Sequence, residues 1–98
     1  MMEVHVCTKD GALLRAFALG DSSEVLIGRD DACDIQIRSN AVSREHCTIE
    51  REGEDVVLRD LGSSGGTYLN GKKIEKVPLS DGMEIVVGPA LLKFFNGM

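Results

Sequence analysis

No apolar run in this chain approaches the ~20 residues that a helix needs to cross a bilayer, and no basic stretch leads into an apolar one near the N-terminus. These absences predict a soluble, intracellular protein, cytoplasmic in the first place with the nucleus left open, and with no membrane partner. Cysteine is scarce: Cys7, Cys33 and Cys47 are odd in number, and their spacing matches neither a disulfide framework nor a Cys-x-x-Cys metal clip. Free thiols in a reducing compartment are expected. Runs of basic charge are missing too. Lys72-Lys73 is the longest, and the net charge is −5, so the attraction that dominates nucleic-acid affinity is lacking and no nucleic-acid partner is expected. With two histidines and three scattered cysteines, no metal or cofactor site is expected. Helical periodicity, internal repeats and low-complexity segments are absent as well.

What remains is a chain of 98 residues, 43% hydrophobic and 28% charged, with eleven glycines. That size suits one domain over residues 1–98, able to bury roughly two-thirds of the surface of its unfolded form. Short alternating segments follow one another at turn spacing. Val4 and Val6 oppose Glu3, His5 and Cys7 in the first. Lys9-Asp10-Gly11 turns into a strand at Leu14 to Leu19, Gly20 to Ser23 breaks it, and Glu24 to Ile27 resumes. Ile35 and Ile37 alternate within Asp34 to Arg38. Cys47 and Ile49 lie on one face of the next strand, and Val56, Leu58 and Asp60 alternate on its return, so the loop before Cys47 and the loop after Asp60 fall at the same end. Asn70-Gly71 is the strongest hairpin dipeptide, followed by a return from Lys72 to Val77 and further strands at Met83 to Val87 and Ala90 to Phe95. About ten to eleven short strands without helix predict an all-β, antiparallel-rich, two-sheet fold.

Three signatures lie in the loops of this scaffold: Gly28-Arg29, then Ser43-Arg44-Glu45-His46, then Ser63-Ser64-Gly65-Gly66-Thr67 with Asn70-Gly71 beyond it. In this order, and with Leu79 to Gly88 after them, they closely resemble the forkhead-associated (FHA) domain, whose pattern reads G-R, S-x-x-H, S-x-N-G-T, N-G. The resemblance implies a β-sandwich that recognises phosphothreonine in a partner protein; the oligomeric state is left open by the sequence, with a monomer favoured. It covers roughly residues 25 to 95 and departs at one position, where Gly65 stands for the family's Asn.

Taken alone, Arg29 is a solvated strand-end residue and Ser43 a turn former; the resemblance makes Arg29 and Ser43 the phosphate ligands, with Arg44 nearby and Ser64 reaching the phosphate by its hydroxyl or N–H. His46 invites a catalytic reading because Cys47 follows it. Adjacent strand residues point to opposite faces, so ring and thiol should not meet, and the resemblance gives His46 a loop-holding role. Gly28, Gly66, Thr67 and Asn70 complete the structural support, with Gly28 expected to let the chain turn. The glycine loop lacks both the Lys and the following helix of a nucleotide site. At Gly65 the loss of an amide that grips the peptide backbone should cost ~0.5–1.5 kcal/mol, so that Gly65→Asn is expected to tighten binding up to about tenfold.

The resemblance therefore predicts a phosphothreonine-dependent interaction module whose partner is a threonine-phosphorylated protein or peptide. An FHA-like scaffold that binds independently of phosphate is the alternative, and Gly65 favours it. An enzyme would need a nucleophile with an oriented base, or a metal with its ligands, and no pattern here supplies either.

Overall fold

The computed structural model describes residues 2–21 and 23–96. Its strands are β1 (Met2–Thr8), β2 (Leu13–Ala18), β3 (Glu24–Gly28), β4 (Ile35–Gln36), β5 (Cys47–Glu52), β6 (Asp55–Asp60), β7 (Thr67–Leu69), β8 (Lys72–Lys73), β9 (Lys76–Pro78), β10 (Glu84–Val87) and β11 (Ala90–Asn96). One sheet has the order β2-β1-β11-β10-β7-β8 and the other β4-β3-β5-β6-β9. The pairings are antiparallel except β3 with β4, which run parallel through Ile27↔Ile35 and Gly28↔Gln36. The expected all-β sandwich is therefore observed. Of the expected break at Gly20 to Ser23, Ser22 lies outside the described residues.

Alternation explains most of the interior. Val4 and Val6, Ile85 and Val87, and Leu92 and Phe94 from the first sheet meet Val25 and Ile27, Cys47 and Ile49, and Leu58 from the second in one buried cluster. Cys7 breaks the rule: expected on the polar face of β1, it is buried. A bulge between Val6 and Cys7 shifts the register, and Cys7 then pairs across the strands with Leu13 on one side and Leu91 on the other, so its outward face is covered by apolar neighbours.

The segment from Lys72 to Val77 is not one strand. Ile74 N–H donates to Thr67 O at 2.9 Å, continuing the first sheet, whereas Glu75 O accepts from Asp60 N–H at 2.8 Å in the second. The chain changes sheets between these residues, and half-buried Ile74 packs on the core as it crosses. Pro78 sits on β9, an edge strand, where its missing donor is tolerated. The Asn70-Gly71 turn forms as expected, with φ of 53° and 79°.

Pairing of Cys47 with Asp60 places the loop before β5 and the loop after β6 at one end of the sandwich. Antiparallel pairing of β3 with β5, through Ile27↔Cys47, delivers the loop after Gly28 to that end too, which the β5–β6 hairpin alone could not show.

Phe94 is fully buried, whereas Leu14 is 61% exposed. Phe94→Ala should therefore cost about 3–5 kcal/mol in urea unfolding, while Leu14→Ala should change stability by less than about 0.5 kcal/mol. Similar costs for both would mean that the two sheets do not pack as described.

Candidate functional site

His46 ties the loops of this end together. Its main-chain N–H donates to Ile27 O and its carbonyl accepts from Leu61 N–H, both at 2.9 Å. The ring is fully buried and reaches two different loops. Ser43 N–H, which can only donate, lies 3.1 Å from Nδ1. Gly66 O, which can only accept, lies 2.9 Å from Nε2. The proton therefore sits on Nε2 and the imidazole is neutral. The ring shows no partnership with Cys47, whose side chain belongs to the core cluster and whose thiol is pushed well up in pKa by burial.

A second hub holds the loop after β6. Asp60 Oδ1 accepts from the hydroxyls of Ser63 (2.6 Å) and Thr67 (2.7 Å). Its Oδ2 accepts from the N–H groups of Gly62 (2.9 Å) and Ser63 (3.0 Å). Ser63 Oγ accepts in turn from Gly66 N–H at 3.0 Å. Partial burial works to raise the pKa of Asp60, but the hydroxyl and N–H donors outweigh it and hold the carboxyl below its ordinary value of 3.8. Sequence reasoning missed this hub. The signal was an Asp followed at two and three residues by Gly and Ser, the pattern of a side chain that bonds the main chain ahead of it.

Arg29, Ser43 and Ser64 converge on the same rim. Arg29 N–H donates to Ser43 O at 3.0 Å. Its side-chain Nε donates to Val42 O, also at 3.0 Å. Among the described residues the two terminal amino groups of this guanidinium carry no hydrogen bond or ion pair. Ser64 N–H donates to Ser43 Oγ at 3.1 Å, and the two hydroxyl oxygens lie 3.4 Å apart. Ser43 Oγ accepts from that N–H, and either of the two hydroxyls can donate to the other. Arg44 is exposed, and its charge helps to lower the pKa of Asp30, behind the larger effects of the Ala32 N–H and Asp31.

The glycines act differently from expectation. Gly28 shows no left-handed φ and ends β3 without needing one. A β-carbon on it would lie 2.1 Å from Arg44 O and 2.9 Å from Cys33 Sγ, so its role is close approach rather than turning. Gly65 is likewise crowded, by Ala41 O at 2.8 Å from a β-carbon, whereas Gly66 takes the left-handed φ of 82°. An Asn side chain at residue 65 would require Ala41 O to shift. Thr67 is buried beneath the loop on Asp60. Asn70 stands apart in the β7–β8 turn, at the opposite end of β7 from Thr67.

No group of His, Cys, Asp and Glu side chains among the described residues is arranged to hold a metal. Fold and rim together define a β-sandwich that carries its candidate binding groups on loops at one end. The chain belongs to the FHA domain family, whose sequence model matches residues 25–88. An oxoglutarate dehydrogenase inhibitor from Corynebacterium jeikeium is 36% identical over 77 residues, 79% of this chain and 54% of that protein. The chain spans about half the length of the curated relatives it matches first. Among solved structures, an FHA domain studied for phosphothreonine-dependent interactions is 27% identical with a TM-score of 0.83, covering 98% of both chains. EmbR of Mycobacterium tuberculosis, in complex with a low-affinity phosphopeptide, is 29% identical with a TM-score of 0.81, covering 95% of this chain and 24% of that one.

Two measurements check this construction. His46→Ala leaves Ser43 N–H and Gly66 O without partners in a buried space, and the protein should lose about 2–5 kcal/mol, seen as a lower melting midpoint. Asp60 has a folded pKa below its unfolded one, so its stabilisation is present above about pH 4 and is lost as pH falls through the folded value. Asp60→Asn should be less stable than the parent at pH 7, and the gap should narrow as pH falls below about 4. A gap that stays constant on acidification would remove Asp60 from the role of charged acceptor.

Proposed function

We propose that this domain is a phosphothreonine-dependent interaction module, binding threonine-phosphorylated proteins or peptides through the loops at the Ser43–Ser64 end, with no enzymatic activity of its own. The observation that carries the reading is Arg29. Its Nε is held by Val42 O, which restrains the plane of the guanidinium, while among the described residues both terminal amino groups carry no hydrogen bond or ion pair. A planar fork of this kind matches two oxygens of a phosphate dianion. The Ser43 hydroxyl, with Ser64 beside it, supplies neutral donors, and Arg44 adds positive charge. His46, Gly28, Gly66 and Thr67 hold the loops rather than touching the ligand, and Gly65 sits where the peptide chain would pass.

Net charge does not oppose this. At −5 the chain as a whole repels anions, but a phosphate beside Ser43 would respond chiefly to charges within a Debye length of ~8 Å, so the neighbouring Arg29 counts for more than the distant acidic surface. The same net charge argues against nucleic acid as the partner. The solved relatives studied with phosphothreonine-dependent partners or a phosphopeptide support the reading. Three buried free thiols fit a monomer in a reducing intracellular compartment.

Arg29→Ala should lower phosphopeptide affinity about 10- to 150-fold in calorimetric titration, the loss of a charge-assisted pair, while the melting midpoint barely moves. A folded Arg29→Ala variant with unchanged affinity would remove Arg29 from the site. An unmodified threonine peptide that binds the parent protein as tightly as its phosphorylated form would overturn the reading in favour of phosphate-independent binding.

A further inference from the structure

Three successive carbonyls, of Ala41, Val42 and Ser43, run along the rim of the site. Two are engaged by Arg29: Ser43 O by its main-chain N–H and Val42 O by its Nε. The third, Ala41 O, accepts no hydrogen bond among the described residues, and Ala41 is exposed. Its direction is nonetheless set. Ala41 N–H donates to Ser39 Oγ at 3.1 Å, and Val42 N–H to Ser39 O at 3.0 Å. In a trans peptide the carbonyl points away from the N–H that follows it, so fixing Val42 N–H on Ser39 turns Ala41 O away from Ser39. It points at Gly65 and lies 2.8 Å from the place where a β-carbon there would stand. An oriented acceptor thus sits beside Ser64, one residue along from the N–H that bonds Ser43 Oγ. Any side chain at residue 65 would push it aside.

We infer that the Ala41 carbonyl is a recognition group: it accepts a hydrogen bond from a main-chain N–H of the peptide next to its phosphothreonine, and Gly65 is the residue that lets it do so. This rests on the phosphothreonine reading of the same site. It gives the position of Gly65 a function, because the space of the missing side chain is taken by a main-chain acceptor from the neighbouring loop. It also predicts a selectivity. An acceptor without a donor selects a ligand that brings an N–H, so proline is excluded at the peptide position whose amide meets Ala41 O. The glycine is then a specificity-determining residue acting through Ala41.

The probe is a short alanine-based peptide centred on phosphothreonine, together with versions N-methylated at each amide flanking the phosphothreonine, one at a time, and the unphosphorylated parent. Methylation at one of these amides should weaken binding to the unaltered protein about threefold to tenfold. Gly65→Ala should weaken the unmethylated phosphopeptide by a similar factor and abolish the methylation penalty, since both changes delete one contact. The assignment is overturned if no flanking methylation costs affinity, or if the penalty persists in full in Gly65→Ala. Should Gly65→Ala fail to fold by its melting curve, the methylation series on the unaltered protein decides alone. A retained preference for phosphothreonine with silent methylation defeats only the role of Ala41, whereas equal binding of the unphosphorylated parent defeats the phosphothreonine reading.

Discussion

A buried imidazole must find a partner for each ring nitrogen, and in this domain the two partners are main-chain groups of two different loops. His46 Nδ1 takes Ser43 N–H and Nε2 gives to Gly66 O. Neither loop can drift without stranding a buried polar atom, which costs more than the bond itself contributes. The remaining rim contacts inherit this constraint. Ser64 N–H reaches Ser43 Oγ because Gly66 and Ser43 are both held by the ring. Arg29 finds Val42 O and Ser43 O because that loop is already in place. A histidine spent in this way has no lone pair left to take a proton from a ligand, so the most chemically suggestive residue in the chain is the one least able to do acid–base chemistry.

Local pattern carried far in this chain because its signals are period-two alternation and glycine turns. Val4, Val6, Ile27, Ile49, Leu58, Leu92 and Phe94 are inside as alternation requires, and Asn70-Gly71 turns as its dipeptide demands. Hairpin parity put the loop before Cys47 and the loop after Asp60 at one end, as the pairing of Cys47 with Asp60 has them. What could not be read were the contacts between segments remote in sequence. The antiparallel pairing of β3 with β5 that brings Arg29 to the rim is one. The crossing between the sheets at Ile74 is another, since nothing in Lys72 to Val77 marks the point at which hydrogen bonds change partners. In the sequence Asp60 is one more alternating residue, whereas in the structure its two oxygens organise the following loop.

The glycines show most clearly where sequence reading stops. A glycine suggests a turn, because its conformational freedom is the property visible from sequence alone. Gly66 fits that view, with its left-handed φ. Gly28 and Gly65 do not: they are glycine because another stretch of backbone passes over them, Arg44 O in one case and Ala41 O in the other. Such a requirement is a property of the assembled structure and has no local signature.

These two contacts come from opposite ends of one segment, residues 41–44, which therefore lies against glycine on both sides. A third glycine, Gly88, meets it from the β10–β11 turn, where a β-carbon would lie 2.8 Å from Val42 Cγ2. Side chains at these positions would hold the segment off the sandwich; their absence lets its backbone settle onto three neighbouring elements. A loop seated in this way has little conformational freedom left to lose on binding, so interactions with a ligand are not spent on ordering it. The segment supplies Ser43, Arg44 and the carbonyls that hold Arg29, which makes the glycines the means by which a domain of modest size keeps this rim in place. Close backbone packing takes the place here of the disulfide or metal that could otherwise hold such loops.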